Sequence, residues 1–174
     1  MIKRCIMIFP EFDNGKLIDD IREKYDPAAH SVRPHITLVF PFESNLTTDE
    51  LRGHMLAALS GFPPFLLSLQ GVIEKKSFGK YLLLEVHRGR NKLKELYKRL
   101  YTGILSPFMP DWDSNFEPHM TVGKIEDEDM FQNASYETKH FCEEFVTAAT
   151  KISVEIIAEN SDSIIEFEID LPIL

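Results

Sequence analysis

The sequence has little cysteine, no long apolar run and no excess of positive charge. Its two cysteines, Cys5 and Cys142, lack the spacing of a metal site or a redox pair, so we expect reduced thiols. No segment approaches the roughly 20 apolar residues of a membrane-spanning helix. The apolar run that follows Met1 is too short for a signal peptide. We therefore expect a cytoplasmic protein that makes no membrane contact.

The charge balance limits the kinds of partner that the chain can bind. Its 19 Lys and Arg against 28 Asp and Glu leave a net charge of −9. A general nucleic-acid binder gains affinity by neutralising many phosphates with basic side chains, so no long nucleic acid is expected as a partner. A few local cations and backbone amides can still hold one terminal or cyclic phosphate within an acidic surface.

The sequence also lacks an obvious metal site. It contains no HExxH pattern and no closely spaced set of His, Cys, Asp or Glu ligands. We therefore expect neither a metal nor another cofactor. A zinc site built from two histidines and a distant carboxylate is the alternative that this pattern leaves open.

A pair of similar motifs is the most informative feature that is present. They are Pro34-His35-Ile36-Thr37 and Pro118-His119-Met120-Thr121, and each opens an apolar run. The chain's own content of Pro, His and Thr predicts only about 0.02 copies of P-H-x-T by chance over this length. One histidine two residues before a threonine is usually structural, but the duplication favours a functional pair.

The length of 174 residues fits one domain, 1–174, with two sequence halves at about 1–78 and 79–174. Each half predicts strand, helix, motif-bearing strand, helix and strand. We therefore expect an α+β fold with two pseudo-twofold-related lobes facing a central cleft, each an antiparallel sheet with helices outside. The predicted strands are 2–9, 35–42, 65–74, 80–88 and 119–125 and a hairpin around 152–156 and 165–169; the helices are 14–25, 48–59, 91–105 and one from 126–129 into the 140s.

Strand geometry gives the motifs a chemical meaning. Side chains alternate along a strand, so His35 and Thr37 share one face, and His119 and Thr121 likewise. Two imidazoles that flank one point can serve as the general base and general acid of phosphodiester hydrolysis, because their unperturbed pKa of about 6.5 permits both forms near neutrality. The threonine hydroxyls can hold the phosphate oxygens. Such a site needs no metal.

Five further residues near the motifs are candidates for substrate binding. Arg33 and Lys124 flank the motif strands and could attract a phosphate, although exposed solubilising charges are an equal alternative. Phe42, Trp112 and Phe116 could stack on a base. Aromatic residues at such positions are more often part of the core.

With both motifs in place, the chain resembles the 2H phosphoesterase superfamily, named for two H-x-[ST] motifs on a duplicated α+β scaffold. The proline before each histidine matches the 2′-5′ RNA ligase-like branch. Residues 22–27, 100–103 and 115–123 resemble a small bacterial subfamily of phosphoesterases. The resemblance implies a bilobal fold and metal-independent chemistry, and it aligns His35, Thr37, His119 and Thr121 with the catalytic motifs.

The resemblance also implies the substrate class: a small nucleotide or an RNA terminus that carries a cyclic phosphate. We therefore expect a cyclic phosphodiesterase that acts as a monomer. Two alternatives remain: a non-catalytic module that binds a nucleotide or an RNA end, and RNA end processing or 2′-5′ ligation. The pseudo-symmetry does not assign the acid and the base.

Overall fold

The computed structural model describes residues 1–77, 79–111 and 116–173. Within these ranges the chain forms a curled antiparallel sheet with helices on one face, which confirms the predicted α+β class. The strands are β1 (Ile2–Ile8), β2 (Ile36–Ser44), β3 (Phe65–Lys75), β4 (Tyr81–Arg88), β5 (His119–Lys124), β6 (Glu144–Ala149), β7 (Lys151–Ile157) and β8 (Ser163–Asp170). The helices are α1 (Lys16–Tyr25), α2 (Thr48–Ala58), α3 (Arg90–Leu100) and α4 (Glu128–Thr138), with a short 3₁₀ helix at Gly103–Phe108.

The two halves of the sheet do not correspond to the two halves of the sequence. The order is β6-β3-β4-β5-β2-β1-β7-β8, so the halves meet where β5 lies beside β2. That junction consists of one registered pair, Ile36 with Met120. Strand β3 pairs with β4, and the β7–β8 hairpin pairs with β1. Each half of the sheet is therefore built from both halves of the sequence.

The core lies between the sheet and its helices. Ile36, Leu84, Met120 and Val122 alternate along their strands towards this face and are fully buried. Helix α1 packs on β5 and helix α3 packs on β2, so each helix covers a motif strand from the other half. Full burial of such a side chain contributes about 1.5–3 kcal/mol. No helix in the described ranges is long and apolar enough to cross a membrane.

The predicted boundaries are confirmed for α2 and wrong for α3. Thr47 accepts from the backbone N–H of Glu50, while the Glu50 carboxylate accepts from the backbone N–H of Thr47, so a capping box begins α2. Helix α3 ends at Leu100 rather than 105, and the 3₁₀ helix follows. Gly103 has φ +49° there, so the chain leaves α-helical geometry. Ile104, within the predicted helix 91–105, lies in this 3₁₀ helix and is 37% exposed.

The sequence prediction missed strand β6. A helix was expected to run into the 140s, but α4 ends at Thr138 and Glu144–Ala149 pairs with β3 along six registered positions. Phe145 and Ala149 point into the core from alternate positions. Residues 145–147 are Phe, Val and Thr, which favour a strand, so the local sequence carried a signal that the predicted helix overlooked. The pairing with β3 fixes the register of this strand.

A buried ion pair shapes the loop that leads into the first motif. Arg22, on α1, is 2% exposed and donates from Nε to Asp26 at 2.8 Å. Its Nη2 donates to the carbonyls of Ala28 and Val32. Because the guanidinium bonds both ends of this loop, the position of the chain before Pro34 depends on one side chain.

Replacing Asp26 by Ala tests this dependence. We expect Asp26→Ala to lower the free energy of unfolding by about 3–5 kcal/mol, because it leaves the Arg22 charge buried without its carboxylate partner. Urea denaturation measures the change. The matched control is Asp20→Ala, which breaks the exposed Lys16–Asp20 pair of the same helix and the same i,i+4 spacing. Equal losses in both variants would contradict the role of Arg22.

Candidate active site

The register between β2 and β5 brings the two motifs together on one face of the sheet. With Ile36 opposite Met120, one step along each strand places His35 beside Thr121 and Thr37 beside His119. Side chains directly opposite have Cβ atoms about 4.5–5.5 Å apart, and diagonal neighbours lie about 7–8 Å apart. The two histidines therefore form one diagonal of a four-residue cluster and the two threonines the other. We call these four residues the motif quartet.

Each histidine of the motif quartet makes the same hydrogen bond. His35 Nδ1 lies 2.8 Å from the carbonyl oxygen of Arg33, and His119 Nδ1 lies 2.8 Å from that of Glu117. A carbonyl oxygen only accepts, so Nδ1 must donate in both rings. In the neutral imidazole this leaves Nε2 as the proton acceptor, and in the protonated one Nε2–H becomes a donor. Both rings thus keep the same nitrogen available for chemistry.

Local sequence explains how these bonds arise. Pro34 and Pro118 have no N–H and bias the residue before them towards extended backbone, which turns that residue's carbonyl to the histidine ring. The Glu117 side chain is held as well, because its carboxylate accepts from Arg90 and Lys94 of α3. These contacts lower the pKa of Glu117, with Lys94 as the largest cause. The carbonyl that orients His119 is therefore anchored to a helix.

A cleft of about 550 Å³ opens over this face of the sheet. Three members of the motif quartet line it: Thr37, His119 and Thr121. His35 is not among the lining residues, and its ring packs edge-on against Phe9 with 6.1 Å between centroids. The remaining lining is mixed, with the aromatic, aliphatic, hydroxyl and charged side chains of Phe40, Ile73, Lys75, Ser77, Tyr81, Leu83, Glu85, Val86, Arg90, Phe116 and Glu117, together with Pro118.

Burial lowers the pKa of both motif histidines below the ordinary value of 6.5. Nearby positive charge acts in the same direction: Arg22 and the other imidazole on His35, and Lys75 on His119. The hydrogen bonds to the backbone carbonyls oppose the shift, and Asp26 also opposes it at His35. Because a charge on His119 lowers the pKa of His35, the state in which both rings carry a proton is disfavoured.

The structure places the aromatic candidate Phe116 at the cleft and the aromatic candidate Phe42 in the core. Phe116 is 9% exposed, lines the cleft and stacks on Tyr97 with 4.2 Å between ring centroids. Phe42 lies in the core against Phe108 and does not line the cleft, so its expected stacking role is wrong. Alternation from Ile36 already places residue 42 on the core face. Trp112 lies outside the described residues.

The two candidate cations lie at the margins of the site. The guanidinium of Arg33 is 4.3 Å from the centre of the Phe9 ring and lines a smaller cavity of about 370 Å³ beyond His35. Lys124 is exposed at the far end of β5, where it pairs with Tyr81 of β4. Neither side chain lines the larger cleft.

Sequence reasoning missed the residues that complete the cleft: Lys75, Tyr81, Glu85, Arg90 and Glu117. Tyr81 and Glu85 alternate with the buried Leu82 and Leu84, so strand parity on β4 was the signal that could have found them. Lys75 lies opposite Tyr81 across the β3–β4 hairpin, so the predicted adjacent strands at 65–74 and 80–88 were the signal that could have found it. Among the described residues, no three His, Cys, Asp or Glu side chains converge as metal ligands.

Comparison with known proteins places the chain in a family. The model of the 2′-5′ RNA ligase superfamily matches residues 9–155. The chain belongs to this superfamily. A protein named "Putative phosphoesterase" from Halalkalibacterium halodurans is 31% identical over 135 residues, which are 76% of this chain and 71% of that protein. The 2H phosphoesterases include the 2′-5′ RNA ligase superfamily. The expected membership in the 2H phosphoesterases is therefore confirmed.

Solved structures of other proteins share the fold across nearly the whole chain. Escherichia coli LigT complexed with NADP⁺ has a TM-score of 0.66 at 16% identity, covering 98% of both chains. The same protein complexed with 3′-AMP has a TM-score of 0.61 at 14% identity, with the same coverage. Similarity at this level of identity establishes the shared fold alone.

The two motif histidines should titrate abnormally. We expect the His35 and His119 rings to protonate with midpoints below 6.5, because burial disfavours the charged imidazole. NMR titration of the ring Cε1 and nitrogen signals measures the midpoints and shows which nitrogen carries the proton in the neutral form. In Lys75→Met, the His119 midpoint should rise. Midpoints at or above 6.5, or a neutral form protonated at Nε2, would contradict this description of the site.

Proposed function

We propose that this protein is a metal-independent phosphoesterase that opens a cyclic phosphodiester, such as a nucleoside 2′,3′-cyclic phosphate. The observation that carries the proposal is the matched pair of Nδ1–carbonyl hydrogen bonds. They leave two equivalent Nε2 atoms available on diagonal residues of one sheet face, beside the cleft that His119 lines. Phosphodiester hydrolysis by general acid–base catalysis uses one group to take a proton from the attacking water and one to protonate the departing oxygen.

The reaction then follows from the motif quartet. One histidine, neutral at Nε2, takes a proton from water as the water oxygen attacks phosphorus. The bond from phosphorus to the 2′ or 3′ oxygen breaks, and the second histidine gives its Nε2 proton to that oxygen. Thr37 and Thr121 donate hydrogen bonds to the non-bridging oxygens, on which negative charge accumulates in the transition state. The product is a phosphomonoester, and the histidines have exchanged protonation states.

The relatives support this chemistry and the size of the substrate. The name of the relative from Halalkalibacterium halodurans refers to phosphoester cleavage. LigT, which shares the fold, has been crystallised with mononucleotide and dinucleotide ligands. A cleft of about 550 Å³ is of the size that encloses a small ligand. A small cyclic nucleotide, or the terminal nucleotide of an RNA, is therefore the substrate class that we propose.

Two other functions remain as alternatives that the same experiments separate. A binding module would hold cyclic nucleotides without converting them. A 2′-5′ RNA ligase would join RNA ends, as the name of the superfamily model suggests. Binding alone does not require two imidazoles with the same nitrogen exposed, and this observation favours the hydrolase.

Removal of either motif histidine should nearly abolish turnover. We expect His35→Ala and His119→Ala each to lower kcat about 10²–10⁴-fold, because each removes one proton-transfer group. Hydrolysis of a panel of 2′,3′-cyclic nucleotides, followed by ³¹P NMR, measures the rate and identifies the 2′- or 3′-phosphate product. EDTA should leave the rate unchanged. The exposed His140→Ala is the control, and full activity in either motif variant would refute the proposal.

Loss of the Glu117 carboxylate should weaken catalysis without removing a catalytic group. In Glu117→Gln the contacts with Arg90 and Lys94 lose their charge, so the carbonyl that orients His119 is held less firmly. We expect kcat to fall about tenfold with little change in KM, since misplacement of a catalytic group acts mainly on the transition state. Glu95→Gln, which loosens the ion pairs with Lys92 and Arg99 on α3, is the matched control. An equal effect of both would show a general defect of the helix.

A further inference from the structure

The cleft has chemically different ends on either side of the motif quartet. Strand β2 runs from Thr37 to Phe40 as β5 runs back from His119 to Phe116, so the two phenylalanines mark one end. Strands β3 and β4 carry Lys75, Ser77 and Tyr81 to the other end, where their hairpin turns. One end therefore carries two aromatic rings with the Arg90–Glu117 ion pair beside them, and the other carries one cation and hydroxyl groups.

A row of three residues crosses the strands at this second end. Lys75 of β3 is the registered partner of Tyr81 of β4, and Tyr81 is the registered partner of Lys124 of β5. Cross-strand partners point to the same face of a sheet, so the tyrosine lies between two lysines on the cleft side. Lys75 and Tyr81 line the cleft, and Lys124 stands beside it.

A bulge in β5 brings Lys124 to this face. Leu83 pairs with Thr121 and Leu82 pairs with Gly123, so Val122 is an extra residue in the ladder. Without the bulge, strict alternation from Thr121 would turn residue 124 to the helix side. Thr121 lies before the bulge and keeps the face that the Ile36–Met120 register gives it. The bulge thus places the Lys124 ammonium group on the same side of the sheet as the Thr121 hydroxyl.

Lys75 and Lys124 form no ion pair with any residue that the structure describes. The adjacent lysines of the hairpin, Lys76 and Lys80, both form ion pairs with Glu128. The charge of Lys75 reaches the motif quartet, where it lowers the pKa of His119. An anion bound between Lys75 and Lys124 would therefore lie close to the reacting phosphate.

The distance from the row of Lys75, Tyr81 and Lys124 to the motif quartet matches the size of one ribose unit. Tyr81 lies two residues before Leu83, the partner of Thr121, and two residues of strand span about 6.6 Å. In a ribose, C2′ and C3′ lie between C1′, which bears the base, and C4′, which bears C5′. A 2′,3′-cyclic phosphate held by the motif quartet must therefore project its base and its 5′ group in opposite directions along the cleft.

We propose that Lys75, Tyr81 and Lys124 form a second phosphate subsite that binds a phosphoryl group on the 5′ oxygen of the substrate. The base then lies towards Phe40 and Phe116. This inference rests on the proposed function, because the motif quartet must hold the cyclic phosphate for the 5′ group to reach the lysines. The 5′-phosphoryl group is either the terminal phosphate of a nucleotide or the preceding phosphodiester of an RNA end.

Kinetics with paired substrates tests the subsite. Adenosine 2′,3′-cyclic phosphate is compared with its 5′-phosphorylated form and with a diadenylate that ends in the cyclic phosphate. We expect the 5′-phosphoryl group to raise kcat/KM about tenfold, the size of one charge-assisted contact. A preference for the 5′-monophosphate identifies a nucleotide, and a preference confined to the diadenylate identifies an RNA end. No preference for either overturns the proposal.

Substitutions of the three subsite residues test which of them cause the preference for a 5′-phosphoryl group. Lys75→Met and Lys124→Met should each reduce the ratio of kcat/KM values towards one, while Lys75→Arg retains most of it. Tyr81→Phe should reduce it less, because the lysines remain. Lys76→Met, adjacent on the same strand but paired with Glu128, should leave the ratio unchanged. Circular dichroism verifies folding, and an unchanged ratio in folded Lys75→Met overturns the subsite.

A binding measurement separates failure of the subsite from failure of the proposed function. Calorimetry compares adenosine 3′,5′-bisphosphate with adenosine 3′-monophosphate, which requires no turnover. Tighter binding of the bisphosphate that is lost in Lys75→Met supports the subsite even where no cyclic nucleotide is hydrolysed. Equal affinities would refute the subsite and leave the proposed hydrolysis standing. The advantage should also shrink at high salt, because exposed charges are screened.

Discussion

The pairing of Ile36 with Met120 is the contact on which the rest of the site depends. It joins the two halves of the sheet, and it sets the register that places both histidines and both threonines on the open face. Since both residues are fully buried, the hydrophobic packing that closes the core also aligns the catalytic candidates. A shift of one residue in either strand would turn its histidine into the core. The Ile36–Met120 pair therefore determines both how the halves of the sheet join and which side chains form the site.

The motif quartet could be predicted from the sequence, because strand alternation is a local rule and the P-H-x-T motifs begin the strands that carry them. The remainder of the cleft divides into residues that local rules could reach and residues that they could not. Tyr81 and Glu85 follow from alternation on β4, and Lys75 follows from the β3–β4 hairpin that sets it opposite Tyr81. Phe40 could not be predicted, because it reaches the cleft only where bulges interrupt the pairing of β2 with β1. Strand β6 was missed although residues 145–147 favour a strand, because the predicted helix was extended across it. Local rules thus cover much of the cleft, whereas the bulges depend on how the whole sheet pairs.

The two motifs are similar, but their surroundings are not. The registered partner of His119 on β4 is Glu85, a carboxylate within the cleft. The corresponding neighbour of His35 is the ring of Phe9, with the Arg33 guanidinium stacked over it. The backbone thus repeats the geometry of one histidine site while the side chains give each copy a different electrostatic neighbourhood. A duplicated scaffold of this kind can carry two unequal proton-transfer groups.

The exchange of strands between the two halves of the sequence affects how the site forms during folding. Cys5 pairs with Glu155, so one ladder beside the motif strands closes a loop of nearly the whole chain. Closing such loops costs chain entropy that local contacts cannot repay, which slows folding. Neither half can assemble from a contiguous stretch, so the imidazoles become neighbours only when distant segments have found each other. The histidine pair therefore forms cooperatively: the two rings are neighbours only while the whole sheet is formed, and they separate when either side opens.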